Sequence, residues 1–301
     1  MPFRISRGFK GKKKSRGFNM ISWKRKNRAE GKGMVSREAG ELCYLTFPAF
    51  TETGLVEHLF STRMGGVSKG IFATMNLSFT RGDEEAAVQE NFRRIAEVMH
   101  GKKEDFVCSD QTHTVNIRKV TKEDKGKGVL REKDYRDIDG LVTDEPGIIL
   151  SGFFADCVPL YFLDTKRKVI GLAHSGWRGT VNRMGREMTA FMEKEYSCRK
   201  EDMIAAVGPS ICADCYEVSE DVADAFRREF GEEVLKAGRE EGKYQLDLWR
   251  ANEKVLLDAG LTEAQISLTD ICTCCNEDKL FSHRASKGKR GNLGAFLSLR
   301  E

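Results

Sequence analysis

The chain has 301 residues, of which 40% are hydrophobic and 32% are charged, so it contains enough apolar material for a buried core. No segment approaches the roughly 18 consecutive apolar residues that a membrane span needs, and the apolar run 147–163 is interrupted by Asp156 and Pro159. The net charge of +4 is unevenly distributed: residues 1–33 carry twelve basic side chains and one acidic side chain, whereas residues 34–301 carry 38 basic and 45 acidic ones. The chain therefore combines a basic leader with a mildly acidic body.

The basic leader, residues 1–33, is rich in Lys, Arg and Gly, and its weak apolar periodicity predicts that it is disordered. It lacks the apolar region and cleavage site of a secretory signal, and an odd number of cysteines, nine, favours reduced thiols in the cytoplasm. Residues 34–301 contain no internal repeat or linker, which predicts a single domain. Back-translation of residues 30–33 resembles a ribosome-binding site, so we expect translation to start at Met34.

The apolar periodicity of the body predicts a mixture of strands and helices. In chain order, it indicates strands at Leu42–Phe47 and Leu55–Phe60, a helix at Glu84–His100 with Gly101 as its C-cap, and a strand at Val107–Val120. There follow strands at Ile138–Val142, Ile148–Phe154, Val158–Leu163 and Lys168–Ala173, a helix from Trp177 to Tyr196, a strand at Met203–Val207, helices at Ser219–Phe230 and Asp247–Ala259, and short strands to the end. Because the strands arrive in clusters, we predict an α+β fold with a mixed sheet.

The first candidate for chemistry is the point at which Asp156 and Cys157 interrupt the apolar run 147–163. A buried carboxylate costs several kcal/mol unless other groups compensate it, so a functional reason for this acid is the stronger interpretation. A buried cysteine alone more often packs as a small hydrophobic residue, but the neighbouring acid weakens that alternative.

Two further segments place polar groups directly after predicted strands. In 174–179, His174 precedes a Gly-x-x-Gly turn that opens a helix; its glycines allow close approach of a ligand, and Arg178 with the free N–H groups suits an anion. In 60–66, Arg63 precedes paired glycines and forms a second candidate anion site. His113 lies on the predicted strand that begins near Val107.

His113, Cys157 and His174 together offer two imidazoles and one thiolate, the kind of three-ligand set that leaves a fourth position of zinc open for water or substrate. The spacing matches no local metal motif, and Cys157 with His174 could instead act as nucleophile and base in a metal-free cysteine hydrolase or deamidase. The other histidines, His58, His100 and His283, are interpreted as structural.

A second group of thiols offers another zinc hypothesis. Cys212 and Cys215 have the spacing of a metal knuckle, and the run Cys272-Thr273-Cys274-Cys275 could complete a four-cysteine site. The alternative interpretation is that these are reduced, partly buried thiols without a metal.

Many motifs in fixed order, from about Leu42 to Leu299, resemble the YfiH-like family of purine nucleoside phosphorylases, formerly called polyphenol oxidases or laccase-domain proteins. The motifs are Phe60–Gly70, Met75-Asn76-Leu77, Gly82-Asp83, Asp110–His113, Asp139–Thr143, Ala155–Pro159, Ala173–Gly179, Gly208-Pro209, Cys215–Val218, Cys272-Thr273 and Phe281–Arg284. The resemblance implies an α/β sandwich similar to the catalytic domain of cytotoxic necrotizing factor.

The resemblance also implies chemistry. It implies that His113, Cys157 and His174 bind one zinc ion and form the catalytic centre, and that the enzyme cleaves adenosine, inosine and methylthioadenosine with phosphate and deaminates adenosine. On the matching motifs we assign substrate contacts to Arg63, Asn76, Gln111, Asp156, Arg178 and Arg284. Of these, the guanidiniums of Arg63 and Arg178 are the candidates for binding phosphate. Where many members have Thr-Gly-Arg, this chain has Arg290-Gly291-Asn292, and whether Arg290 replaces the absent arginine is left open.

Two other functions are weighed against this one. A multicopper oxidase needs a His₂Cys copper site and a trinuclear centre with its own histidines, which five histidines do not supply, although a polyphenol oxidoreductase with a single copper ion is a remaining alternative. A non-enzymatic nucleic-acid-associated protein would act through residues 1–33, with an affinity that falls steeply with salt. The partners expected for the main hypothesis are a purine nucleoside and phosphate, without a membrane; the oligomeric state is not predicted.

Overall fold

The structure, a computed structural model, describes residues 21–26 and 33–301. Its strands are β1 (Val35–Ala39), β2 (Leu42–Thr46), β3 (Val56–Ser61), β4 (Phe106–Cys108), β5 (Ile117–Lys119), β6 (Gly140–Thr143), β7 (Ile149–Phe154), β8 (Val158–Asp164), β9 (Val169–Ser175), β10 (Met203–Val207), β11 (Glu217–Ser219), β12 (Leu235–Ala237), β13 (Lys243–Leu246), β14 (Ile266–Leu268) and β15 (Leu293–Leu299). Its α-helices are α1 (Pro48–Glu52), α2 (Glu85–Val98), α3 (Trp177–Val181), α4 (Met184–Tyr196), α5 (Glu220–Phe230), α6 (Leu248–Asp258) and α7 (His283–Ser286). Within the described ranges, no helix is long and apolar enough to cross a membrane.

Two six-stranded sheets form the centre of the fold. The first sheet has the order β1-β2-β3-β15-β7-β4, and the second sheet has the order β14-β10-β8-β9-β6-β5. Each contains parallel and antiparallel pairs: β4 runs parallel to β7, β5 to β6 and β10 to β14, while the other pairs are antiparallel. A small antiparallel sheet has the order β11-β13-β12. The prediction of an α+β fold with mixed sheets is confirmed; the likeness to cytotoxic necrotizing factor stays a prediction.

The two large sheets pack face to face, and helices cover their outer faces. Phe60 and Phe154 of the first sheet belong to the same buried cluster as Tyr161 and Leu172 of the second. On the outer face of the first sheet, α2 inserts Phe92 into an apolar cluster with strand residues, and α4 and α6 cover the second sheet. Because β8 and β9 are covered on both faces, every residue in them is buried, which explains why their sequences are apolar without alternation.

The predicted strand Val107–Val120 is wrong. Its beginning, β4, pairs with β7 in the first sheet, whereas its end, β5, pairs with β6 in the second sheet. Residues 109–116 cross between the sheets as a loop, so His113 lies in a loop and not on a strand, with a positive φ of 69°. The apolar alternation at Val115 and Ile117 is too short to specify one continuous strand.

Two helix boundaries also differ from the prediction. After α2 the left-handed conformation expected of Gly101 is adopted by His100 (φ 55°). Gly101 is the next residue, and its N–H donates to the Ala96 carbonyl. The predicted helix from Trp177 to Tyr196 is two helices, α3 and α4, because Arg183 adopts a left-handed conformation (φ 59°) between them. Strand β1 and the small third sheet were not predicted, since their three to five residues carry little apolar pattern.

Part of the basic leader lies against the body. The backbone N–H of Lys24 donates to Asn276 Oδ1 at 2.8 Å, and Asn276 Nδ2 donates back to the Lys24 carbonyl at 3.0 Å. Residues 21–26 thus contact the body, and apart from Gly33 the rest of the leader lies outside the described residues. The disorder of the leader stays a prediction. The predicted start at Met34 stays a prediction.

His58 occupies a buried aromatic environment on β3. Its ring lies 5.4 Å from that of Phe50 and 6.3 Å from that of Tyr161, and its Nε2 accepts the Phe47 N–H at 2.8 Å. Burial lowers the pKa of His58 to about 3, so the folded protein holds it neutral. This supports its structural interpretation.

The buried neutral His58 predicts a specific sensitivity to acid. Its pKa is lower in the folded than in the unfolded chain, where it is 6.5. Below pH 6.5 the unfolded state therefore binds a proton that the folded state does not, and the free energy of unfolding decreases as the pH is lowered. At pH 5 this loss is about 2 kcal/mol. We expect His58→Gln, which keeps an acceptor for the Phe47 N–H, to lose less unfolding free energy than wild type between pH 7 and pH 5 in urea titrations. Equal losses in the two proteins would contradict this assignment.

Candidate active site

The bend that carries Cys157 joins the two large sheets. Strand β7 ends at Phe154, β8 begins at Val158, and Asp156 between them has a φ of 88°. The Asp156 carboxylate accepts the Thr273 hydroxyl at 2.7 Å with Oδ1 and the Arg284 backbone N–H at 2.7 Å with Oδ2. Both oxygens of this buried acid therefore hold the bend that carries Cys157.

A single buried carboxylate, Asp139, positions both histidines. Its Oδ1 lies 2.7 Å from His174 Nδ1, and the same carboxylate accepts the backbone N–H groups of Thr112, His113 and Thr114 at 3.1, 3.2 and 2.9 Å. Asp139 thus holds the loop that presents His113. Because His174 uses Nδ1 for this bond, Nε2 is the nitrogen left for a metal.

His113, Cys157 and His174 come together at the junction of these elements. Their ligand atoms all lie within 4.8 Å of one another, and the two imidazole rings are 4.9 Å apart at an angle of 81°. The glycine after β9 is required for this approach: a Cβ on Gly176 would lie 3.0 Å from His113 Cδ2 and 3.1 Å from Cys157 Sγ. The fold therefore brings the three predicted donors together.

The local charges favour the thiolate. Burial raises the pKa of the Cys157 thiol, but the charge of His174 and hydrogen bonds from both histidines lower that pKa to about 6. Burial conversely lowers the pKa of His174, whereas Cys157 and Asp139 raise it to about 9. The thiolate is the form of cysteine that binds a metal and also the form that acts as a nucleophile.

The donor set fits one zinc ion. Tetrahedral zinc with bonds of about 2.0–2.3 Å to nitrogen and sulfur places neighbouring ligand atoms about 3.3–3.8 Å apart. The three donors, within 4.8 Å of one another, need only small side-chain adjustments to reach that separation. Three protein ligands leave a fourth position, and the same three residues line a cavity through which a ligand could reach it.

That cavity has a volume of about 410 Å³. Part of its wall is apolar, formed by Leu77, Phe79, Phe153 and Ala155. Polar and charged side chains also line it: Ser78, Thr80, Arg81, Ser109, Asp110, Gln111, Lys133, Arg290 and Asn292. The cavity therefore places cations, hydroxyls and aromatic rings beside the three metal donors.

Arg290 is the most unusual of these cations. It is 9% exposed, its guanidinium reaches the Gly291 carbonyl at 3.1 Å and Asn292 Oδ1, and its buried Nε has no partner. Burial and the nearby charge of Arg81 lower its pKa to about 10, so it stays positive at neutral pH. No carboxylate forms an ion pair with it within the described residues. An anion in the cavity would supply the missing partner for this guanidinium.

Comparison with known proteins identifies the family. The family described as "Multi-copper polyphenol oxidoreductase laccase" matches residues 57–300. The chain belongs to this family.

Two relatives are named purine nucleoside phosphorylase YlmD: that of Geobacillus stearothermophilus is 39% identical over 247 residues (80% of this chain, 89% of the relative), and that of Bacillus subtilis strain 168 is 37% identical over 244 residues (80% and 88%). The crystal structure of the hypothetical protein YfiH of Bacillus licheniformis has a TM-score of 0.82 at 32% identity, covering 88% of this chain and 99% of that one. The predicted family resemblance is confirmed.

The several copper ions in the family's description do not fit this member's residues. His58 is buried and bonded to the Phe47 N–H, His100 follows α2 with its Nε2 3.9 Å from Glu57, and His283 is exposed on α7. All five histidines of the chain lie in the described residues, so no set remains for a second, trinuclear centre. The histidines therefore allow only one metal ion, bound by His113, Cys157 and His174.

The two arginines assigned to phosphate do not line the cavity. Arg63 donates Nε to the Ala73 carbonyl at 2.8 Å and a terminal N–H to the Glu277 carbonyl at 2.9 Å, so this family member uses it to tie loops together. Arg178 is exposed, with its guanidinium 4.3 Å from the Trp177 ring centroid. The cations that line the cavity beside the metal donors are Arg81, Lys133 and Arg290. The assignment of Arg63 and Arg178 to phosphate stays a prediction. An arginine before a glycine turn can bind carbonyls as well as anions, and its sequence does not distinguish the two uses.

Three other predicted substrate contacts have structural partners. Asn76 Oδ1 accepts the backbone N–H groups of Ser78 at 3.1 Å and Asn292 at 2.9 Å, which shapes the segment after Arg290. The Arg284 guanidinium donates to the Glu217 carbonyl at 3.0 Å, outside the cavity. Asp156, described above, is likewise used within the protein. The structure thus shows these three side chains bonded within the protein, and their assignment as substrate contacts stays a prediction.

Gln111 is the one predicted substrate contact that lines the cavity. Its side-chain amide pairs with both backbone groups of Phe153: Nε2 donates to the carbonyl at 2.9 Å and Oε1 accepts the N–H at 2.7 Å. Asp139, Arg81 and Lys133 were not assigned a role from the sequence. Asp139 had a usable signal, an acid immediately before the apolar strand β6, whereas Arg81 and Lys133 lie in loops without any local pattern.

Asp139 predicts a measurable effect on metal binding. Asp139→Asn removes the charge that orients His174 and places an amide N–H against the N–H donors of the 112–114 loop. We expect zinc affinity to fall about 10- to 100-fold, measured by competition with a chelator. Asp137→Asn is the matched control, because exposed Asp137 bonds the Thr112 hydroxyl of the same loop but touches neither histidine ring. Equal zinc affinities of the two variants would contradict the role given to Asp139.

Proposed function

We propose that the chain is a zinc-dependent purine nucleoside phosphorylase that cleaves adenosine, inosine and methylthioadenosine and also deaminates adenosine. The observation that carries this proposal is one cavity that combines the donors His113, Cys157 and His174 with the buried guanidinium of Arg290, whose Nε has no hydrogen-bond partner. The names of the Geobacillus and Bacillus relatives, both purine nucleoside phosphorylases, support the same reaction class.

The cavity suits a nucleoside and a phosphate ion together. Its volume of about 410 Å³ is within the range of small-molecule sites, roughly 300–1,000 Å³. Phe79 and Phe153 offer aromatic surface to a purine ring, and the Ser78 and Thr80 hydroxyls can bond a ribose. Arg290, with Arg81 beside it, provides the positive charge that a phosphate dianion requires.

In phosphorolysis, a phosphate oxygen forms a bond to C1′ of the ribose while the C1′–N9 bond breaks. The electron pair of that bond leaves with the purine, which gains the proton that hydrogen phosphate loses, and the products are ribose 1-phosphate and the free base. Arg290 and Arg81 would hold the attacking phosphate in place, which lowers the entropic part of the barrier. A bound zinc ion supplies Lewis acidity and can activate a water, the chemistry used by zinc nucleobase deaminases.

Adenosine separates the two activities, because only phosphorolysis consumes phosphate. The purified chain is incubated with adenosine with and without phosphate, and adenine, inosine and ribose 1-phosphate are resolved by chromatography. We expect adenine and ribose 1-phosphate only with phosphate, and inosine under both conditions. The Cys157→Ala variant, purified in parallel, controls for contaminating enzymes. The absence of every product under both conditions would contradict the proposal.

A metal-free cysteine hydrolase or deamidase is the second candidate function. The lowered pKa of Cys157 and its contact with His174 support a nucleophile and base at these positions. The loss of one zinc ion per chain in His113→Ala, together with the loss of activity, would contradict this candidate, since a cysteine–histidine pair does not need His113.

The location of the protein forms part of the proposal. No disulfide joins any of the nine cysteines, all of which lie within the described residues. Reduced cysteines are typical of the cytoplasm, so we propose a cytoplasmic enzyme.

A further inference from the structure

Four cysteines outside the candidate active site form a second cluster. They are two Cys-x-x-Cys pairs, Cys212 with Cys215 and Cys272 with Cys275, which lie 60 residues apart in the chain, and their four Sγ atoms are all within 4.8 Å of one another. The Sγ of Cys275 is 3.9 Å from that of Cys212 and 3.5 Å from that of Cys215. The first pair follows β10 and the second follows β14, so the fold itself brings the pairs together.

The sulfur separations match a single tetrahedral metal ion. A zinc ion bound by four thiolates at about 2.3 Å places the sulfur atoms at the corners of a tetrahedron with edges of about 3.8 Å. Disulfide sulfurs are about 2.05 Å apart, much closer than these. A four-iron cluster needs thiolates farther apart, because each thiolate binds a different iron. We propose that Cys212, Cys215, Cys272 and Cys275 bind a structural zinc ion.

The surroundings of the cluster support bound thiolates. The backbone N–H groups of Cys212 and Cys275 donate to Cys272 Sγ at 3.2 and 3.4 Å, contacts that stabilise a negatively charged sulfur. Lys26 lies beside the cluster, since its Nζ forms an ion pair of 2.8 Å with Asp214, between the two cysteines of the first pair. This lysine compensates part of the negative charge that four thiolates leave on a divalent zinc.

The cluster has four protein ligands and therefore no open position, which makes the ion structural rather than catalytic. Its effect reaches the cavity through the second pair of cysteines. Thr273, between Cys272 and Cys275, bonds the Asp156 carboxylate that fixes the bend next to Cys157. The zinc ion therefore holds in place the loop that positions one of the donors of the candidate active site.

Metal content of the purified full chain tests the proposal. We expect two zinc ions per chain in wild type by mass spectrometry, and one in His113→Ala/Cys157→Ser, in which the candidate active site is disabled. Cys215→Ser/Cys275→Ser is expected to lose one zinc ion. Cys274→Ser is the matched control, because Cys274 lies between the ligands but outside the four-sulfur cluster, and it should keep both ions.

Several results would overturn this proposal. The first is that His113→Ala/Cys157→Ser contains no zinc, and the second is that it contains iron instead of zinc. The third is a thiol titration that shows a disulfide among the four cysteines. The measurement on His113→Ala/Cys157→Ser decides the question even if Cys215→Ser/Cys275→Ser does not fold. It is independent of the proposed function: zinc in this variant with no phosphorolysis in wild type would support the structural zinc site and contradict only the enzyme activity.

Discussion

Replacing Cys157 with alanine is expected to remove both zinc from the candidate active site and phosphorolysis of inosine. Cys157 is the only thiolate of the three donors, and it is held on a bend fixed by Asp156. Changes to residues that support a ligand lower metal affinity about 10- to 100-fold, so removal of the ligand should reduce kcat/KM by more than about 100-fold. Zinc content and product formation, measured on the same preparation, check this expectation.

The control for Cys157→Ala is Cys198→Ala, which removes another mostly buried thiol. Cys198 lies outside the cavity and belongs to neither of the two candidate metal sites. We expect it to keep both activity and zinc at the active site, even if it costs some stability. Thermal unfolding of both variants shows that a lost activity is not a lost fold. Full activity of a folded Cys157→Ala protein would remove this residue from the reaction.

Replacing Arg290 with methionine is expected to separate catalysis from stability. A charged group that binds an anion in a buried site contributes about 2–5 kcal/mol, so kcat/KM for phosphate should fall by a factor of roughly 30 or more. Without phosphate, Arg290 is a buried cation with an unpartnered Nε, and an apolar side chain of similar length relieves that cost. We therefore expect equal or higher unfolding free energy together with weaker use of phosphate.

Phosphate dependence of inosine cleavage and urea unfolding measure the two effects of Arg290→Met. Arg178→Met is the matched control, because Arg178 is exposed and outside the cavity wall, and it should retain the wild-type KM for phosphate. Deamination of adenosine, which consumes no phosphate, should persist in Arg290→Met. A normal KM for phosphate in Arg290→Met, or a raised one in Arg178→Met, would show that the phosphate site is elsewhere.

The sequence predicted the strands that are buried on both faces more reliably than the connections between them. β8 and β9 read as uninterrupted apolar runs because a sheet covers one face and helices cover the other. The strand predicted at Val107–Val120 was wrong because its middle is a loop held by the carboxylate of Asp139, a contact between residues about 25 positions apart. Local periodicity contains no information about such a contact.

In the candidate site, too, residues with a local sequence signal were predicted and residues brought together by long-range contacts were not. Cys157 and His174 were found because each polar group stands out at the end of an apolar strand. Arg290 and Arg81 could not be assigned to the cavity, since they are about 210 positions apart in the chain and meet the donors only in the fold. The bonds of Arg63 to the Ala73 and Glu277 carbonyls were not predicted, because an arginine beside paired glycines binds backbone carbonyls as readily as anions.

Formation of ribose 1-phosphate from inosine tests the proposed function most directly. The full chain, with its zinc content determined, is incubated with inosine and phosphate, and hypoxanthine and ribose 1-phosphate are quantified together. We predict that the two products form in equal amounts, only when phosphate is present, and not with Cys157→Ala. Hypoxanthine released at the same rate without phosphate, or no product from zinc-loaded protein, would contradict the assignment of a zinc-dependent phosphorylase.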